Sequence, residues 1–182
     1  MTSRASVAAD ARVRLFCALR LPEPVVRHLE DWGRRELRER IVPAQNLHIT
    51  LAFLGHRPQD ELPAIAEATR AAAAGAAPIV LEPVGYRETR NVGMLVLSDA
   101  NGAAAALADD LFGRLEAVGA YERESRLWLP HLTVIRFRAR PRLAPSIPAT
   151  GPFSPSDAAV YLSRLRSTGA QYDVVESFAL GG

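Results

Sequence analysis

Residues 12–21, RVRLFCALRL, alternate strictly. Val13, Leu15, Cys17, Leu19 and Leu21 fall on one side, and Arg12, Arg14, Phe16, Ala18 and Arg20 on the other. A period of two with one apolar face predicts a β-strand, which Pro22 and Pro24 close. Over 25–40 the period changes: Val26, Leu29, Trp32 and Leu37 form the stripe of an amphipathic helix. The apolar run NLHITLAFLG (46–55) predicts a second strand ending at Gly55, followed by a loop and an alanine-rich helix over 56–77. Two more strands are expected at 79–86 and 93–99. A helix is expected at 101–120, with Asn101 as N-cap and Gly119 as its stop. PHLTVIRFR (130–138) reads as a strand, and the proline- and serine-rich segment 138–157 as a loop. Strands at 158–167 and 170–180 close the chain as a hairpin. This mixture predicts an α+β fold with antiparallel sheets rather than a doubly wound parallel one. Its 182 residues are expected to form a single two-lobed domain, with 1–11 as a ragged, polar start.

Composition narrows the functions. The net charge is +2, so no general polycation is present to coat nucleic acid. All 22 basic residues are arginine, the better fork for phosphate. A single cysteine, Cys17, excludes an intrachain disulfide and a cysteine-based zinc cluster; it belongs to the apolar face of its strand. No apolar run reaches the roughly 20 residues of a membrane span, so a cytoplasmic location is expected. No glycine-rich phosphate loop opens a helix, which weighs against nucleoside triphosphate and dinucleotide enzymes.

The chemistry lies in a repeat. Two of the four histidines recur in matching runs, Asn46-Leu47-His48-Ile49-Thr50-Leu51 and Leu129-Pro130-His131-Leu132-Thr133-Val134. In a strand, residues two apart share a face, so His48 projects beside Thr50 and His131 beside Thr133. One such histidine alone would read as a core or edge residue; the recurrence 83 positions apart makes the pair a site. Two imidazoles can take and give protons near neutral pH, and threonine hydroxyls can bind phosphate oxygens. Together they equip a protein for phosphoryl transfer with one base and one acid. Neither motif has a neighbouring Asp, Glu or Cys, so a metal site would lack further ligands. His28 and His56 have no threonine partner and read as surface residues.

These HxT pairs resemble the signature of the two-histidine (2H) phosphoesterases, and most closely the RNA 2′,3′-cyclic phosphodiesterases, also called 2′-5′ RNA ligases. RLFCALRLP, PAQNLHITLAFLG, PHLTVIRFR and the C-terminal LSRL…GAQYDVVESFAL carry the resemblance over nearly the whole chain. It implies two similar lobes, each an antiparallel sheet with outer helices, and a cleft between them to which each lobe gives one HxT. The implied activity is hydrolysis of RNA 2′,3′-cyclic phosphate ends to 2′-phosphomonoesters, with the reverse giving 2′-5′ ligation. No cofactor or metal is expected, and the expected state is a monomer with no membrane partner. His48 would give a proton to the leaving oxygen, and His131 would take one from water. Phe16 resembles the aromatic position that stacks on a base, and Arg136 a phosphate-binding arginine. Arg136 is five residues from His131, however, and an odd offset points it to the opposite face unless the strand bulges. Two other readings stay open: a phosphodiesterase for small cyclic nucleotides or ADP-ribose cyclic phosphate, and a non-catalytic nucleotide- or RNA-end-binding module.

Overall fold

The computed structural model describes residues 11–37, 40–167 and 169–181. The ragged start expected over 1–11 lies outside the described residues except for Ala11, whose carbonyl accepts the Gln59 amide at 2.9 Å. Among the described residues, seven strands and three α-helices follow one another: β1 (Arg12–Arg20), α1 (Glu23–Glu36), β2 (Ile49–Pro58), α2 (Leu62–Ala74), β3 (Leu81–Glu88), β4 (Val92–Asp99), α3 (Ala103–Ala117), β5 (His131–Arg136), β6 (Asp157–Arg166) and β7 (Gly169–Phe178). Two antiparallel sheets result, ordered β2-β1-β6-β7 and β3-β4-β5. The α+β architecture is the one the pattern predicts.

The alternation of β1 separates two environments. Leu15, Cys17 and Leu19 enter the main core, which runs through both sheets and all three helices. Phe16 and Ala18 face the other way and pack with Ala159 and Tyr161 of β6. Helix α2 lies on β6 and β7 and against α3. The smaller sheet is covered at both edges: Phe153 bridges to Leu81 on β3, and Ile41 bridges to Ile135 on β5. Ladder groups that would otherwise face solvent are thereby paired.

Several boundaries differ from the pattern, each for a local reason. Helix α1 begins at Glu23, because Pro24 fits a first helical turn, where its missing N–H is not needed. Val25, rather than Val26, joins Leu29 and Trp32 on the buried side. The helix ends at Glu36, and residues 38–39 of the expected span lie outside the described residues. Strand β2 does not stop at Gly55. That glycine takes φ +68°, and Leu54 becomes an unpaired bulge residue. The strand then continues, placing His56 opposite Arg14 in the ladder rather than in a loop. At the start of α3 the cap is shared. Asn101 Oδ1 accepts from the Ala103 amide, while the Asp99 carboxylate accepts from Ala104 and Ala105. No helix among the described residues is long and apolar enough to cross a membrane.

Candidate active site

The two motif segments have the same local build. From 47 to 53 and from 130 to 136 the burial sequence is identical: buried, half-buried, buried, half-buried, buried, buried, exposed. The half-buried places are His48 and Thr50 in one segment and His131 and Thr133 in the other. Ile49 and Leu132 between them are wholly buried, as alternation requires. His48 itself stands one residue before β2, not within it, at the exit of a short 3₁₀ turn over Ala44–Asn46. That turn is tied to β7 by Asn46 Nδ2, which donates to the Ala170 carbonyl at 2.9 Å.

Both strands carry a β-bulge at the third residue after the histidine. On β2 the register passes from Thr50 to Ala52 opposite consecutive residues of β1, leaving Leu51 extra. On β5 it passes from Thr133 to Ile135 opposite consecutive residues of β4, leaving Val134 extra. One extra residue reverses the alternation. Arg136 therefore rejoins the face of His131 and Thr133, and the odd offset that argued against it is cancelled. Its guanidinium donates to the Tyr172 hydroxyl at 3.5 Å. The corresponding residue on β2 is Phe53.

Each imidazole is oriented by a carbonyl two residues back. His48 Nδ1 lies 2.7 Å from the Asn46 oxygen, and His131 Nδ1 lies 2.8 Å from the Leu129 oxygen. A carbonyl can only accept, so the proton sits on Nδ1 in both rings and Nε2 is left for chemistry. The two segments are also joined directly: Trp128 Nε1 donates to the Thr50 carbonyl at 3.0 Å. Among the described residues, the Thr50 and Thr133 hydroxyls make no hydrogen bond within the protein, and both are half-buried.

An aromatic floor supports His48. Tyr161 lies parallel to Phe16 at 4.8 Å, Tyr172 stands edge-on to it at 5.0 Å, and the His48 ring is 4.8 Å away. With these neighbours Phe16 is only 3% exposed. It has no open face for a base, which corrects the stacking role the resemblance implied; the ring is buried under His48. Burial, followed by the positive charges of Arg136 and His131, lowers the His48 pKa to about 4, although its Asn46 hydrogen bond works in the opposite direction. Cys17 on the other face of β1 is fully buried, 3.4 Å from Thr69 Oγ1, and burial raises its pKa to about 11. Next to Tyr161 and Tyr172 opens a groove of about 460 Å³, with Arg20, Gln45, Leu47 and Ser156 in its walls.

Residues 21–170 match the sequence profile of the 2′-5′ RNA ligase superfamily. The chain belongs to this two-histidine phosphoesterase superfamily. A Thermus thermophilus relative named RNA 2′,3′-cyclic phosphodiesterase is 29% identical over 194 residues, which cover 93% of this chain and 91% of that one. A Thermus thermophilus protein of known crystal structure superposes with a TM-score of 0.79 at 29% identity, over 93% of this chain and 98% of that one. LigT of E. coli, crystallised with 3′-AMP, gives a TM-score of 0.79 at 22% identity, over 94% and 100% of the two chains, and supports the fold. Within the superfamily fold, pattern reading missed Tyr161, Tyr172 and Phe53. The first two sit on β6 and β7 and reach the floor through the registers that pair β6 with β1 and β7 with β6, which no local pattern records.

Proposed function

We propose that the protein hydrolyses 2′,3′-cyclic phosphate ends of RNA to 2′-phosphomonoesters, using His48 and His131 and no metal. The observation that carries this reading is the matched pair of imidazoles, each held through Nδ1 with Nε2 free and a threonine hydroxyl beside it. Thr50, Thr133 and Arg136 supply neutral and charged donors for the phosphate oxygens. One imidazole takes a proton from water as its oxygen bonds to phosphorus. The other gives a proton to the 3′ oxygen as its bond to phosphorus breaks. The relative named RNA 2′,3′-cyclic phosphodiesterase supports the choice of substrate.

In the resemblance, His48 is the donor. A His48 with a lowered pKa is neutral in the free protein near pH 7, so donation requires proton uptake with the substrate. The anionic phosphate provides for this, since its charge opposes that of Arg136 and favours the protonated His48. With a 5′-hydroxyl in place of water, the same two transfers join it to the cyclic end through a 2′-5′ bond as the 3′ oxygen leaves. Hydrolysis dominates because water is present at about 55 M and RNA ends are scarce, an effective-concentration argument.

The test is incubation with an oligoribonucleotide ending in a 2′,3′-cyclic phosphate, in excess EDTA, with the phosphate position of the product read out. A 2′-phosphate is expected. His48→Ala and His131→Ala should each lower kcat by about 10²–10⁴-fold. Loss of wild-type activity in EDTA, restored by one metal, would overturn the metal-free mechanism.

A further inference from the structure

The groups gathered around the two histidines account for one phosphate. An RNA ending in a cyclic phosphate carries others, and all of them lie on the 5′ side of its terminal nucleotide, so the chain has to leave the site over some part of the surface. The smaller sheet offers a route. Thr133 of β5 pairs with Met94 of β4, and Met94 pairs with Arg87 of β3. Directly opposed residues share a face, so Arg87 stands on the face that carries His131, Thr133 and Arg136. Two strand spacings of about 4.8 Å place its backbone roughly 10 Å from that of Thr133. The face is open along the way: Val92 and Val96 of β4 are half-buried, and Arg87 is exposed.

The charge of Arg87 is not spent elsewhere. Carboxylates hold ten of the described arginines. Among the described residues, Arg87 has neither an ion pair nor a hydrogen bond through its side chain. Its neighbour Glu88 points to the opposite face, where Tyr86, Arg140 and the amides of Arg142 and Leu143 hold it. That buried anchor fixes the end of β3 without drawing on the Arg87 charge. The grooves near the site differ in this respect. Beside Tyr161 and Tyr172, Arg20 is paired with Asp157 at 2.8 Å and Glu23 stands in the wall. Beside Phe53, Arg57 is paired with Glu61 at 2.6 Å, and Glu122 and Glu124 line the groove. Both repel an anionic strand, which is drawn instead across β4 towards the free cation. We infer that Arg87 binds the phosphodiester on the 5′ side of the terminal nucleotide, so that the site prefers an oligoribonucleotide to a mononucleotide. Arg87 touches no reacting atom; it acts on specificity, through charge and the paired N–H donors of its guanidinium. This inference rests on the proposed phosphodiesterase reaction.

The test compares two substrates with the same terminal nucleoside: a nucleoside 2′,3′-cyclic phosphate, and a dinucleotide ending in that cyclic phosphate. Wild type, Arg87→Lys, Arg87→Gln and Arg87→Glu are assayed with both. The reading is the ratio of the two kcat/KM values, which partial loss of folded protein does not move. Wild type should prefer the dinucleotide by about 5–20-fold, between an exposed ion pair and a full hydrogen bond to a charged group. Arg87→Lys should keep part of that preference, Arg87→Gln should bring it towards one, and Arg87→Glu should take it lower still. Replacing the internal diester by an uncharged methylphosphonate should bring wild type to the Arg87→Gln ratio and leave Arg87→Gln where it is. The same ratio in all four proteins, or a wild type indifferent to the methylphosphonate, would overturn the subsite. Equilibrium binding of the 2′-phosphate-ended mononucleotide and dinucleotide is measured alongside. A wild type that hydrolyses neither substrate but keeps an Arg87-dependent preference for the dinucleotide would overturn the proposed reaction and leave the phosphate subsite standing.

Discussion

His48 makes the stability of the fold depend on pH in a way that one substitution isolates. In the unfolded chain its imidazole titrates near the ordinary 6.5; in the folded protein it titrates at about 4. Between those values the unfolded chain holds a proton that the folded one does not, so acid favours unfolding. At 1.36 kcal/mol per pH unit, the gap is worth roughly 3 kcal/mol. That stability is fully present above pH 6.5 and is lost as pH falls towards 4. The perturbation is His48→Gln, which removes the titration but keeps a polar side chain. Urea unfolding of both proteins between about pH 4.5 and 7.5 gives two curves of stability against pH. Other titrating groups contribute to both curves and largely cancel in the difference, leaving a wild type that loses up to about 3 kcal/mol more on acidification. Parallel curves would refute the buried, neutral His48. An NMR titration supplies a second reading: Arg136→Gln removes a neighbouring positive charge, so the His48 midpoint should rise.

Thr50→Val and Thr133→Val keep the side-chain shape but remove a hydroxyl. Each should lower kcat/KM by about 10–100-fold, a hydrogen bond to a charged group, and unchanged kinetics in both would confine the threonines to the strands. An aryl phosphodiester, whose leaving group needs little protonation, should restore much of the rate lost in His48→Ala but not in His131→Ala; the opposite rescue would exchange the two roles. Glu88, whose side chain is 2% exposed, accepts from the Tyr86 hydroxyl, Arg140 Nε and the amides of Arg142 and Leu143. Burial works to raise its pKa, but these donors outweigh it and hold it below the usual value. Glu88→Gln should therefore cost about 2–4 kcal/mol at pH 7 by chemical denaturation, with the difference shrinking as pH drops through the carboxylate range. At Gly93 a Cβ would lie 2.6 Å from Ile135 Cγ2 and closer still to the Tyr86 hydroxyl, so Gly93→Ala should destabilise by about 1–3 kcal/mol and also lower activity through the β5 bulge.

Much of this was written in the chain. The alternation of 12–21 revealed both faces of β1, and the recurrence of HxT picked out the two segments that the fold builds alike. The failures share a cause. Parity counting assumes an unbroken strand, and one extra residue at Val134 or Leu51 inverts everything after it. A bulge is decided by the partner strand, here by the space Gly93 leaves beside Ile135, and no local pattern records that. Phe16 was placed on the right face, but its exposure depends on Tyr161 and Tyr172, far along the sequence, closing around it. Gly55 looked like a stop because glycine ends many strands; here its left-handed backbone lets β2 bend and continue.

The strand order β2-β1-β6-β7 also bears on how the protein is made. A ribosome delivers β1 first and β6 and β7 last, yet β6 lies directly beside β1. Until β6 is released, β1 has an open edge, and the surface destined for Tyr161 and Tyr172 is uncovered. A chain cut short before residue 157 would carry both HxT motifs and still lack the floor on which His48 rests. Such a fragment would hold every proton-transfer group in an unassembled state, with a sticky strand edge for quality control to find. The floor under His48 thus waits on β6 and β7, well after both HxT motifs have been synthesised.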